Sequence, residues 1–317
     1  MSGYFIRRLI SAVPVLLVVA TITFLVIRVL PGDLAELRLG QQANPQGVHD
    51  LRRELGLDRP IAGQYMDWLT SAVTGDFGES ATSGTPVTRQ FGHALPVTVE
   101  LSLLSILGAL VVGVPLGVAS AYRSQSPLDY AIRLVSSLGQ SMPSFWIAIL
   151  ALTFLSIYAS WTPPFTYHSL WSRPLDNLEQ VMLPVLILGW LLASVIIRVV
   201  RSATLDVLRE DFVRTARAKG VGERQVLSGH VIRHTMIPVV TVVGIQLGAL
   251  ISGAVLLEQI FAIPGVGNLT LQSLLLRDYQ QLQFNVLMLA VVVVVLNICV
   301  DCSYVLFDPR IRIRALS

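Results

Sequence analysis

Two histidines four residues apart, His230 and His234, and two cysteines three apart, Cys299 and Cys302, are the side chains whose spacing suits a metal. Histidines at i and i+4 share a helical face, but a zinc-protease helix needs Glu directly after the first, and Val231 stands there. The cysteines share one face of an apolar run with no further soft ligand, so packing is their expected role. Nucleotide chemistry is no better supplied. No Gly-x4-Gly-Lys-[Ser/Thr] run occurs, and the single lysine, Lys219, is followed by Gly220-Val221. No Ser/Lys, His-Glu-x-x-His or paired-Asp arrangement marks an intramembrane enzyme. Glu100 and Asp301 sit at the ends of apolar runs, where capping or an arginine partner is expected over a proton relay. The sequence thus offers no catalytic residue, no metal site and no cofactor bound by the chain itself.

What surrounds these residues is apolar. Of 317 residues, 53% are hydrophobic and only 14% charged, with a mean hydropathy of +0.67; a soluble domain carries about 25% charge. Six long uncharged runs are predicted to be transmembrane helices: Leu9–Ile27, Leu101–Tyr122, Leu134–Ser172 (most apolar over Ser144–Ala159), Gln180–Ile197, Thr235–Leu257 and Tyr279–Val300. Barrel strands would alternate over about 10 residues instead. Arg7-Arg8 precede a run too long for a cleaved signal, so a signal-anchor first span is expected. With the N-terminus inside, fifteen basic residues fall on the cytoplasmic side and seven outside, with Arg28 at the boundary. That asymmetry places both termini in the cytoplasm of a multi-pass inner or plasma membrane protein. The net charge of +3 is therefore orientation charge and does not call for nucleic acid. Pro14, Pro115, Pro143, Pro184 and Pro238 are candidate kinks.

The expected organisation is a cytoplasmic N-terminus and first span over 1–30, an external helical segment over 31–96, a core with five spans over 97–307, and a cytoplasmic tail over 308–317. Within the external segment, Pro45–Leu55 places Val48, Leu51 and Leu55 at helical spacing. After Pro60 a second helix puts Ile61, Tyr65, Trp68, Leu69 and Ala72 on one face, ended by Gly75-Asp76-Phe77-Gly78. Such helices form either a packed cap or a docking surface or lid. The cytoplasmic segment 201–234 places Leu205, Leu208, Phe212 and Ala216 on one helical face, opposite Glu210, Arg214 and Arg217. Gly220-Val221-Gly222 breaks that helix, and Val226, Leu227 and Val231 begin a second amphipathic turn. This describes a compact knob, or alternatively an interfacial helix on anionic lipid. Polar residues within spans, Ser141, Ser144, Gln246, Ser252 and Asn297, either line a pathway or bond helix to helix.

The cytoplasmic run Arg214-Thr215-Ala216, three residues, Gly220 and nine more resembles the coupling loop of bacterial ATP-binding cassette importer permeases, whose pattern is Glu-Ala-Ala-x3-Gly-x9-Ile-x-Leu-Pro. Arg214-Thr215 replace Glu-Ala here, and His230-Val231-Ile232-Arg233 replace the last four. Those departures, and the run from Asp211 to Gly220, resemble the dipeptide/oligopeptide/nickel branch. Ser228-Gly229 are atypical of it, and helical regularity is not expected there. Further blocks follow the same branch in order: Arg28 to Asp33, Leu55 to Pro60, Gly75 to Gly78, Pro143-Ser-Phe-Trp146, Glu258-Gln-Ile-Phe261, Pro264-Gly-Val-Gly267, Arg277-Asp-Tyr279 and Asp308 to Arg312. The long external segment resembles the B-type subunit.

The resemblance implies an all-α type I importer permease paired with a C-type permease. It implies two ATP-binding subunits or one fused pair, carrying ATP and magnesium, and an extracytoplasmic binding protein that delivers substrate. The ATPase-coupling residues would be Asp211, Phe212, Arg214, Thr215, Ala216, Arg217, Ala218, Lys219, Gly220, Val221, Gly222, Glu223, Arg224 and Gln225. Binding-protein docking would fall on Asp76, Phe77, Gly78, Pro264, Gly265 and Gly267. Di- or oligopeptides are the implied substrate, with nickel or glutathione as same-family alternatives. An ion-coupled secondary transporter is the alternative from another class, but it would favour acids in mid-span and leaves the knob unexplained.

Overall fold

The computed structural model describes residues 2–29, 44–54, 56, 58–164 and 166–307. Helices dominate them; the one strand-like pairing among described residues is an isolated bridge between Glu79 and Pro86. Helix α1 (Ser2–Val29) precedes two short helices, α2 (Pro45–Glu54) and α3 (Ile61–Thr74). Pro60 caps the start of α3, and Gly75 ends it in the left-handed conformation. The long helices α4 (Val87–Tyr122) and α7 (Pro174–Leu208) flank a pair, α5 (Pro127–Ser141) and α6 (Ser144–Ala159). Helices α8 (Asp211–Ala218) and α9 (Glu223–Val226) lie in the segment expected on the cytoplasmic side. Helices α10 (Ile232–Ile260), α11 (Val266–Leu275) and α12 (Tyr279–Phe307) complete the chain.

Four elements are individually long and apolar enough to cross a bilayer: α4, α7, the His234–Ile251 part of α10 and the Tyr279–Val300 part of α12. The run expected as one span over Leu134–Ser172 is instead two helices bent by 103°, which qualify only together. Met142 is extended there (φ −104°, ψ 131°), the conformation that a following proline imposes. In α1 the apolar stretch is the shorter Ile10–Val26. Among the described residues, the count by length and composition is thus four, or five with the bent pair, against the six expected from the sequence. Of the expected kink prolines, Pro143 stands at a break, whereas Pro14, Pro115, Pro184 and Pro238 lie inside continuous helices. Residues 30–43 and 308–317 lie outside the described residues, and with them the Asp308 block, Asp33 and the tail arginines.

The core is the parallel pair α4 and α7, the most extensive helix pairing in the molecule. Gly113 and Gly117 face Ile196 and Val200 across it, and a Cβ on Gly117 would lie 2.6 Å from Val200 Cβ. This small-xxx-small spacing allows backbones in a membrane to approach closely. Leu101, Ala109, Leu188, Leu192 and Ile196 fill the seam, joined by Leu257, Phe261 and Ile263 from the outer end of α10. Gln140 of α5 donates to the Ser194 carbonyl at 3.0 Å, which ties α5 to the same pair. Helix α1 packs mainly on α12.

Candidate functional site

The knob expected on the cytoplasmic side is two short helices on two stems. Helix α7 stops at Leu208, and Glu210 turns extended (φ −67°, ψ 147°) before α8 restarts at Asp211. That break resets the helical phase. The face expected from Leu205, Leu208, Phe212 and Ala216 is therefore not continuous: α8 buries Val213 and Ala216, while Phe212 remains 38% exposed. Val213, Ala216, Val226 and Val231 form a small apolar core, lined further by Val207, Leu208, Val221 and Leu227. Helix α8 ends in a Schellman motif. Gly220 N donates to Arg217 O at 2.9 Å, Val221 N donates to Ala216 O at 3.2 Å, and Gly220 takes φ +80°. Arg217 holds Glu223, the first residue of α9, through two hydrogen bonds of 2.7 and 3.3 Å.

This packing leaves an exposed, charged crown. Asp211, Phe212, Arg214, Thr215, Arg217, Ala218, Lys219, Gly220, Gly222, Glu223 and Gln225 are exposed, and Val221 is half-buried. The side chain of Arg224 lies outside the described residues. The irregularity expected at Ser228-Gly229 is a π-helical turn over Leu227–Val231 leading into α10. The ring of His234 lies 5.2 Å from that of Phe212, whereas the side chain of His230 is outside the described residues.

Both stems are tied to the core by polar contacts. Arg201 of α7 reaches Asp129 of α5 through Nε at 2.8 Å and Nη2 at 2.9 Å. The fully buried Asp129 carboxylate also accepts Ser120 Oγ at 2.5 Å and Gln125 N at 3.0 Å. One carboxylate thus gathers the end of α4, the turn after it, the start of α5 and the stem of the knob. Thr204 and Thr235 link the two stems at 3.4 Å.

On the outer side, two buried acids do the equivalent work. Glu258, near the end of α10, accepts the Thr98 hydroxyl at 2.7 Å and Asn268 N at 2.9 Å, while Thr98 Oγ1 accepts Val266 N at 2.8 Å. Gly265 lies so close that a Cβ would overlap the Glu258 carboxylate. Asp278 accepts Ser80 Oγ at 2.5 Å, Thr82 Oγ1 at 2.9 Å, Gln281 N at 3.2 Å and Ala81 N at 3.3 Å. Burial pushes its carboxyl upward, but the bonds from Ser80, Gln281, Thr82 and Ala81 outweigh this and hold it below the ordinary carboxylate value. Phe77 stacks edge-on against Phe284 at 4.6 Å. Among the docking candidates, Asp76 and Pro264 are exposed, Phe77 and Gly78 are half-buried, and Gly265 and Gly267 are buried. Glu100 finds neither a cap nor an arginine: it accepts the Tyr167 hydroxyl at 2.8 Å. Burial, then this carboxylate, raises the Tyr167 phenol above its ordinary pKa.

The pathway candidates are scattered. Ser141 is exposed and donates to the Ser137 carbonyl at 2.9 Å. Ser144 opens α6 half-buried, Gln246 is half-buried in α10, Asn297 is exposed on α12, and the Ser252 side chain is outside the described residues. An apolar cavity of about 300 Å³ is lined instead by Leu110, Met236, Val243, Leu296 and Cys299. The Asp301 and Cys302 side chains are not among the described ones. Sequence reasoning treated Glu258 and Asp278 only as members of motifs and did not foresee the Asp129–Arg201 pair. The local signal is an acid at a helix start, as at Asp129 and Asp278.

The described residues form a helical bundle with several apolar helices and an exposed, charged knob. Residues 113–313 match the family described as binding-protein-dependent transport system inner membrane component, and residues 1–102 match its N-terminal counterpart. The chain belongs to this family and is a multi-pass permease subunit of an ATP-binding cassette importer. It is 40% identical over 98% of its length to a Brucella abortus protein, named provisionally a peptide transport system permease, of which it covers 99%. It is 38% identical over 98% to the di/tripeptide transport system permease protein of Pseudomonas aeruginosa, covering 99% of it. It is 36% identical over 99% to the glutathione transport system permease protein of Salmonella typhi, covering all of it. Its fold is similar to a chain of the MetNI methionine ABC transporter, with a TM-score of 0.57 at 16% identity over 70% of this chain and 98% of that one.

Proposed function

We propose that this chain forms, with a C-type permease, the translocation pathway for di- or oligopeptides. Two ATP-binding subunits or one fused pair, loaded with ATP and magnesium, drive it from the cytoplasm. The near-full-length identity to a di/tripeptide permease carries the substrate reading. The lack of a Gly-x4-Gly-Lys-[Ser/Thr] run in the chain supports assigning hydrolysis to those partners. Residues Asp211 to Gln225 dock in a cleft of the ATPase. Closure of the ATPases draws the knobs together, and Arg201–Asp129 passes that displacement from the stem of α7 to α4 and α5. A ligand shifts such an equilibrium only by its different interaction with two states. A knob whose exposed crown touches the partner and whose small core keeps its shape meets that requirement.

Asp76, Phe77, Gly78, Pro264, Gly265 and Gly267 belong to the outer face that meets an extracytoplasmic binding protein. Within it, Asp76 and Pro264 supply the contact, and the buried members shape the turns. Ser141, Ser144, Gln246, Ser252 and Asn297 are pathway positions reached as the helices move. Glutathione is the second reading, favoured by the glutathione permease relative.

The test is uptake of a labelled tripeptide into vesicles holding this chain, a C-type partner, the ATPases and the binding protein. ATP-dependent accumulation, lost when this chain is omitted, is expected. An assembled complex with working ATPase that accumulates glutathione and not the tripeptide would replace the substrate reading.

A further inference from the structure

The outer end of α1 borders a polar cavity that transport and coupling leave unused. Its volume is about 370 Å³, and its lining includes Arg28, Arg59, Gln64, Asp67, Trp68 and Ser71. The two arginines are unequally matched. Arg59 donates to Asp67, so those charges cancel inside the cavity. Arg28 has no carboxylate partner among the described residues and lies over the Phe24 ring, 5.0 Å from its centroid. Among the described residues, the lining therefore carries one guanidinium without a carboxylate, on a half-buried side chain.

Depth identifies what it meets. The apolar stretch of α1 ends at Val26, and two further residues at 1.5 Å each carry Arg28 about 3 Å past it. That is where hydrocarbon gives way to headgroups. Aromatic side chains lie about one to two helical turns inward of Arg28: Tyr65 and Trp68 of α3 pack on Phe24 at 5.3 and 5.8 Å, and the Tyr65 hydroxyl pairs with Thr21 Oγ1 at 2.8 Å. Tyrosine and tryptophan favour this boundary because one end of the ring is apolar and the other wet. The anion abundant there is the phosphodiester of a lipid. A guanidinium fork matches two phosphate oxygens, and the Ser71 hydroxyl adds a neutral donor.

We infer that this cavity is a phosphate site occupied by the phosphodiester headgroup of an outer-leaflet lipid, held chiefly by Arg28. Binding there pins α1 and α3 together at the membrane surface. The inference stands apart from the peptide reading and from the coupling role of the knob.

The full chain, purified in uncharged detergent, is titrated with phosphatidylglycerol and the bound lipid is counted by native mass spectrometry. Arg28→Gln is expected to weaken retention of the tightest-bound lipid by about tenfold. Arg28→Lys, which keeps the charge but not the fork, falls between them. Ser71→Leu, which fills the cavity from α3, also loses the lipid and carries the test should Arg28→Gln fail to fold. Thermal unfolding of each variant separates loss of ligand from loss of fold. Equal retention by the wild type, Arg28→Gln and Ser71→Leu overturns the site. Inorganic phosphate is the second arm: lipid that stays bound in its presence is the expected result, and displacement by it at low concentration overturns the lipid as occupant.

Discussion

The cytoplasmic knob and the outer turns are built on opposite plans. The knob keeps its shape with four small or branched apolar side chains, Val213, Ala216, Val226 and Val231, and leaves its charges exposed. The outer turns are held by buried carboxylates: Glu258 joins α4 to the turn before α11, and Asp278 joins residues 80–82 to the start of α12. Apolar contact is non-directional and tolerates small displacements. A buried carboxylate accepting several donors fixes its neighbours in one arrangement and is costly to disturb. The first plan suits the docking role proposed for the knob, and the second suits a face that must keep its outline. Asp129–Arg201 carries the rigid plan down to the stem, where the two regimes meet.

Breaking that junction is expected to cost most. Arg201→Ala leaves the fully buried Asp129 without its cation, and loss of one partner of a buried pair costs about 3–5 kcal/mol. A lowered unfolding temperature of the detergent-solubilised chain would register it, and an unchanged one would refute the clamp. Glu258→Gln comes next. It keeps the shape but cannot accept from both Thr98 and Asn268, and one unsatisfied buried group costs about 1–3 kcal/mol. Its unfolding temperature should fall by less than that of Arg201→Ala.

Acid provides a gentler probe of the outer plan. Asp278 titrates lower in the folded chain than unfolded, so its contribution is complete above the unfolded value of 3.8 and is lost as pH falls through the lower folded value. Hydrogen exchange of residues 79–86 should therefore accelerate as pH falls below 3.8, beyond the intrinsic pH trend, and Asp278→Asn should remove that excess. Phe212→Ala should move stability least, by about 0.5 kcal/mol or less, because the ring is largely a surface feature. The same change should nonetheless weaken ATPase retention on affinity purification, and this separates a docking surface from a structural one.

The apolar runs, the turn glycines and the knob were legible because each is written in local sequence. Gly220 and Gly75 take the positive φ that their positions suggested, and Ser228-Gly229 mark the π-helical turn. The break at Arg209-Glu210 was not legible, since the apolar spacing from Leu205 to Ala216 runs across it unbroken. Nor were the polar clamps. Asp129 meets Arg201 across 72 residues, Thr98 meets Glu258 across 160 and Ser80 meets Asp278 across 198. Such pairings leave no periodic trace. The right-angled bend at Pro143 was hidden for a related reason: proline is tolerated within four other long helices here, so its presence alone did not distinguish the one break.

The central claim is that the knob transmits ATP-driven motion, and Gly220→Asp tests it most directly. The position is exposed and open, with no atom within 4 Å of the point a Cβ would occupy. The added side chain therefore strains the left-handed backbone and projects a charge into the docking crown without disturbing the core. Membrane insertion, ATPase co-purification and ATP-driven uptake would be measured together in vesicles holding the assembled complex. Normal insertion with ATPase retention and uptake both reduced about tenfold, equivalent to ~1.4 kcal/mol of docking energy, is the predicted result. Normal uptake by the inserted variant would contradict the account.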